Sequence, residues 1–115
     1  AKKLAEEFDV NVVGDRHAYH LQRPDIIINT TVLGMWPDFA DLTPFDKNLF
    51  QKGQIVMDIV YKPLMTRFLK DAEAKGCVII TGEKMLINQA LEQFRIWTGK
   101  TASIDMVLDE ISEFL

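Results

Sequence analysis

Apolar residues fall along this chain in two rhythms. Three short runs carry consecutive apolar residues at their centres: residues 25–30 (Asp25-Ile26-Ile27-Ile28-Asn29-Thr30), residues 54–60 (Gln54-Ile55-Val56-Met57-Asp58-Ile59-Val60) and residues 77–81 (Cys77-Val78-Ile79-Ile80-Thr81). Each is too short for a lone helix and is apolar toward both faces, as strands of a covered parallel sheet are. A further β-branched run, residues 10–13, is closed by Gly14 and predicts another strand. Elsewhere apolar positions recur at helical spacing. They are Leu4, Ala5 and Phe8 in residues 1–8, then Leu64, Met65, Phe68, Leu69 and Ala72 after Pro63. Residues 83–97 place Leu86, Ala90, Phe94 and Trp97 on one stripe, and the C-terminal segment does the same with Ile104, Val107, Leu108, Ile111 and Leu115. Pro63 suits a first helical turn, Gly76 and Thr98-Gly99 supply stops, and Ser103 is an N-cap. Strands alternating with helices predict βαβ units, hence an α/β fold: a Rossmann-like parallel sheet with flanking helices. Residues 32–50 break the rhythm with Gly34, Pro37 and Pro44. Loops longer than about 12–15 residues in a compact domain are often functional.

Length and composition narrow the reading. The chain has 115 residues, enough for one domain but not for a full dinucleotide-binding domain and a separate catalytic one. A net charge of −4 with no basic cluster argues against nucleic-acid binding. No apolar run approaches the roughly 20 residues of a membrane span, and the charged N-terminus has no signal-peptide core. The first residue is Ala rather than Met, so a processed or cut chain is expected, with the cytoplasm as its setting. A single cysteine, Cys77, excludes an internal disulfide and reads as a small buried residue. His17 and His20 have the spacing of a metal pair but no third ligand nearby, so no metal is expected.

Open parallel sheets bind ligands beyond the carboxyl ends of their strands. The three expected tips are Asn29-Thr30-Thr31, Asp58-Ile59-Val60-Tyr61, and Thr81-Gly82 leading into the helix that carries Gln89. Amides, hydroxyls, a phenol and a glycine suit a neutral polyol, or the sugar and carboxamide of a cofactor. The tips offer no Ser-His-Asp or Cys-His arrangement and no obvious general base. Neither G-x-G-x-x-G nor G-x-x-x-x-G-K-[ST] occurs, so no phosphate-cradling loop is visible. Plainer readings stand beside each of these. Tyr61 can be a half-buried aromatic, Gln89 a helix-surface residue, Gly82 a helix-entry turn, and the threonines strand-end chemistry. Asp58 is expected to satisfy loop amides rather than act as a base, and Met35 and Trp36 to anchor the long loop or form a lid.

At these tips the residues become specific. Asp25-Ile-Ile-Ile-Asn29-Thr-Thr-Val-Leu-Gly34-Met35-x-Pro37 resembles the "DIIINTTPLGMxP" segment of shikimate dehydrogenases. Asp58-Ile-Val-Tyr61-x-Pro63-Leu-x-Thr66 resembles their "DIVYNPLxT". Gly82-x-x-Met85-Leu86-x-x-Gln89-Ala90-x-x-x-Phe94-x-x-Trp97-Thr98-Gly99 resembles their third ordered motif. The resemblance implies a two-domain enzyme that reduces 3-dehydroshikimate to shikimate with NADP(H), on the chorismate pathway to aromatic amino acids. Residues 1–99 would be the later part of the Rossmann-type cofactor domain and residues 100–115 a C-terminal helix. Tyr61 and Gln89 would contact substrate. Ile59 and Gly82 would meet the nicotinamide, and Asn29, Thr30 and Thr31 would line the cofactor cleft. The family's catalytic Lys and Asp, its glycine-rich turn and its adenosine-phosphate grip have no counterpart here, and Val32 and Lys62 depart from its pattern. A fragment that is inactive without an N-terminal catalytic domain, on the same or another chain, is therefore expected. If residues 10–13 form the family's third strand, the strand that would lie beside them has no counterpart here. The other readings are a non-catalytic α/β association module and a dehydrogenase that prefers quinate or NAD.

Overall fold

The structure, a computed structural model, describes residues 2–14 and 23–111. His17, His20 and Leu115 lie outside the described residues. Helix α1 (Lys2–Phe8) comes first, then strand β1 (Ile26–Asn29), a short 3-10 turn (Lys47–Leu49), β2 (Ile55–Asp58), helix α2 (Arg67–Ala74), β3 (Val78–Ile80), helix α3 (Gly82–Thr98) and helix α4 (Ile104–Ile111). The strands form one parallel sheet in the order β1-β2-β3. The three expected strands are thus present, each as the central part of its apolar run.

Register puts Ile27, Val56 and Ile79 in one row across the sheet. Helix α2 covers this face with Phe68, Leu69 and Ala72, all buried. Phe50 and Cys77 complete the buried cluster, with Phe45 and Met65 packed against it. The rings of Phe45, Phe50 and Phe68 meet at centroid distances of 4.8, 6.2 and 5.5 Å, two tilted and one edge-on. Such pairs add about 0.5–1.5 kcal/mol each beyond the area they bury.

The opposite face differs from expectation. Ile26, Ile55 and Val78 form a row there, exposed to 57%, 36% and 59%, and Ile28 beside them is exposed as well. The runs are apolar on both faces, yet only the α2 side is closed among the described residues. Residues 10–13 are a second correction, for they are not a strand and Val10, Val12 and Val13 are exposed. A strand needs a neighbour's hydrogen-bonding groups, and no described strand lies beside this segment. The Val10 amide instead donates to Ala5 O at 3.0 Å, closing α1.

Pro63 is a third correction. It precedes α2 in a loop, and the helix starts after Thr66, whose hydroxyl accepts from the Leu69 amide. Side-chain capping at Thr66 decides the start. Helix α3 ends at Gly99, whose φ of +68° is the left-handed C-cap conformation that glycine adopts freely. Its stripe of Leu86, Phe94 and Trp97 is exposed, although its spacing predicts a buried face. Ser103 caps α4 as expected, accepting from the Met106 amide at 3.3 Å. The radius of gyration is 16.5 Å, against about 13 Å for a compact domain of this length. No described helix is long and apolar enough to cross a membrane.

Candidate functional site

The carboxyl ends of the strands do lie side by side. Asn29 is in register with Asp58, and the Ile59 amide donates to Asn29 O at 3.2 Å. Beneath this edge lies a closed polar network. Asp58 is fully buried. Its Oδ1 accepts from Asn29 Nδ2 and from the Val60 amide, each at 3.0 Å, and its Oδ2 accepts from the Thr66 hydroxyl at 2.7 Å. Asn29 uses its remaining capacity to shape the chain after β1. Its Oδ1 takes the Thr31 amide and hydroxyl at 3.0 and 2.8 Å, and its Nδ2 also donates to Leu33 O at 3.0 Å. A buried carboxylate is tolerable only when paired in this way. Asp58 is therefore committed to holding the two tips and the α2 cap together.

Above the network is a cleft of about 290 Å³. Thr30, Thr31, Met35 and Trp36 form one side, and Ile59, Val60, Tyr61 and Lys62 the other. The two sides are tied at the rim, where the Trp36 amide donates to Lys62 O at 2.9 Å and the Lys62 ammonium lies 5.7 Å from the Trp36 ring centroid. Apolar walls with a few hydroxyls describe a small-molecule site. Among the described residues no group of three or more His, Cys, Asp or Glu side chains could hold a metal.

Gly82 starts α3 in contact with the β2 tip. A Cβ placed there would lie 2.5 Å from Val60 O and 2.6 Å from Ile59 O, so only glycine lets the helix begin this close. Glu83 is buried in the same turn. Its Oε1 accepts the Thr81 hydroxyl at 2.6 Å, and its Oε2 has no hydrogen-bond partner among the described residues. Cys77 lies at the opposite end of the sheet, where its thiol donates to Gln51 O and burial pushes its pKa up.

Of the residues singled out from sequence, Thr30, Thr31, Ile59 and Tyr61 come together in the cleft, and Gly82 abuts the Ile59 and Val60 carbonyls. Asn29 sits behind the cleft with its amide engaged in the network. Gln89 is exposed on α3, outside the cleft wall. Two participants escape the sequence reading. Thr66 has only its place in the second motif to signal it. Lys62 shows its relation to Trp36 only once the two loops meet.

The family model described as the shikimate 5'-dehydrogenase C-terminal domain matches residues 82–110. The shikimate dehydrogenase (NADP(+)) of Methanococcus aeolicus is 42% identical over 102 residues, which cover 89% of this chain and 37% of that protein. The crystal structure of shikimate 5-dehydrogenase from Thermus thermophilus with NADP(H) and shikimate superposes with a TM-score of 0.79 at 35% identity, covering 90% of this chain and 38% of that one. Quinate dehydrogenase from Corynebacterium glutamicum in complex with NAD superposes equally well, with a TM-score of 0.79 at 32% identity over 90% of this chain and 36% of that one. The chain thus spans little more than a third of the relatives it matches. Over that span the chain has the sequence pattern and the parallel α/β fold of the C-terminal part of shikimate dehydrogenases.

Proposed function

We propose that this chain forms the nicotinamide-facing part of an NADP-dependent dehydrogenase that interconverts 3-dehydroshikimate and shikimate. The observation that carries the reading is the cleft at the β1 and β2 tips, hydroxyl-lined and apolar-walled, with Gly82 drawn against its floor. The fit to a nicotinamide follows from these walls. Ile59 offers an apolar surface to a ring, and the glycine at α3 lets the helix start pack directly on the Ile59 and Val60 carbonyls behind that surface. The nicotinamide, when bound, supplies the hydride chemistry.

This chain's residues would bind and orient. Thr30 presents its hydroxyl to sugar or carboxamide, while Thr31, whose amide and hydroxyl both donate to Asn29 Oδ1, forms the wall beside it. The Tyr61 phenol can donate to a substrate hydroxyl or carboxylate. Gln89 lies seven residues beyond Gly82, about 10 Å along the helix at 1.5 Å per residue. In this reading it reaches substrate from the far end of the site. Met35 and Trp36 exclude water from the reacting face. The described cleft residues include no carboxylate or imidazole, and in this reading Tyr61 binds substrate and the proton at the carbonyl oxygen is left to a group beyond this cleft. The N-terminal catalytic domain of the family, on the same or another chain, fits that need.

The test is shikimate-dependent reduction of NADP by the protein that carries this chain, followed by nicotinamide absorbance. Tyr61→Phe is expected to raise KM for shikimate about tenfold with a smaller effect on kcat, as loss of one hydrogen bond to a charged group implies. Unchanged kinetics would remove Tyr61 from the site. The superposition on quinate dehydrogenase supports a second reading, in which quinate and NAD are preferred. Running the assay with quinate and with NAD separates the two.

A further inference from the structure

Lys62 is the one ionic group among the described residues lining the cleft. No described carboxylate lies within ion-pair distance of it, and its ammonium faces the ring of Trp36 at 5.7 Å. Two constraints hold it at the rim. Its own carbonyl accepts the Trp36 amide at 2.9 Å, and its ammonium is drawn to the indole face. An aromatic face satisfies a cation only in part, because it offers no lone pair to the three ammonium donors. Tyr61 precedes it on the same wall, so a phenol and an ammonium are presented by consecutive residues at one cleft.

We propose that Lys62 is a specificity-determining residue: its ammonium, held over Trp36, selects an anionic oxygen group, the carboxylate of the substrate, at the rim of the cleft. This deepens the functional reading above and rests on it. The chemistry that Lys62 recognises is shared by a carboxylate and a phosphate, and the test separates these sources. A water-accessible rim charge contributes modestly to affinity, so the expected discrimination is about 3–10-fold.

The test uses the protein that carries this chain, with binding followed by calorimetry. The probes are shikimate against its neutral methyl ester, and nicotinamide mononucleotide against nicotinamide riboside. In the parent protein shikimate is expected to bind about 3–10-fold more tightly than the ester. Lys62→Met should abolish that preference with little change for the ester, and Lys62→Arg should retain it. Lys62 is exposed, so Lys62→Met should leave the melting temperature in place, which separates loss of the ion from loss of fold. A Lys62→Met protein that keeps the preference overturns the proposal. If only the mononucleotide shows a Lys62-dependent preference, the anion is the cofactor's phosphate and the assignment to substrate is overturned. If shikimate does not bind the parent protein at all, the functional reading fails and this inference fails with it.

Discussion

Asp58 shows how one residue can be indispensable near a site without doing its chemistry. Its two oxygens accept from an asparagine on the neighbouring strand tip, a backbone amide two residues on, and the threonine that starts α2. Removing the carboxylate would leave those three donors buried and unpaired, each costing about 1–3 kcal/mol. Asp58→Ala is expected to destabilise the protein by at least about 3 kcal/mol, read from the midpoint of a urea titration. A change below about 1 kcal/mol would mean that water replaces the lost bonds. The type and position of Asp58 were legible in the sequence, including its duty to loop amides. Its partners were not, because Asn29 and Thr66 reach it through the sheet register and the entry to α2.

At the scale of elements, the sheet is a surface with two unlike faces. One carries the row Ile27, Val56 and Ile79 under α2, and the other carries Ile26, Ile55 and Val78 exposed. Contiguous apolar surface of this kind binds hydrophobic dyes and drives association. The chain is expected to bind anilinonaphthalene sulfonate in its folded state. Ile26→Lys with Val78→Lys should lower that fluorescence severalfold without loss of helical circular dichroism. A parent chain that binds no dye would show that this face is closed in solution. The apolar runs announce both faces equally, since a residue's hydrophobicity does not say which neighbour will cover it. The same holds for α3, whose stripe predicts burial and whose Phe94 and Trp97 are exposed.

At the scale of the whole molecule, the cleft exists because three segments distant in sequence converge. The chain after β1 is wound onto Asn29, the β2 tip is tied to Trp36, and α3 begins against both the Ile59 and Val60 carbonyls. Gly82 is the point of closest approach. Gly82→Ala would set a methyl group 2.5 Å from Val60 O, so the helix start or the β2 tip must move. Affinity for NADP is expected to fall at least about tenfold, since small misplacements of binding groups are costly. Gly14→Ala, where a Cβ meets nothing within 4 Å, should leave affinity unchanged. Equal affinity in both variants would detach Gly82 from the cofactor site.

Sequence alone determined the local decisions in this protein. Three apolar runs of five to seven residues are strands, being too short for a lone helix and rich in β-branched residues. Ser103 and Gly99 bound helices through chemistry contained within a turn, and the motif residues at the strand tips carry the resemblance to shikimate dehydrogenases. Tertiary structure decided everything that depends on a partner distant along the chain. Residues 10–13 have β-branched side chains but no described strand beside them, and so are not a strand. Thr66 takes the helix start that local propensity assigns to Pro63, because its hydroxyl serves Asp58 as well as the cap. Lys62 faces Trp36 only because the two loops are joined at the rim. Propensity and periodicity act over a few residues, whereas burial and pairing are properties of a place in space, which sequence neighbours cannot supply.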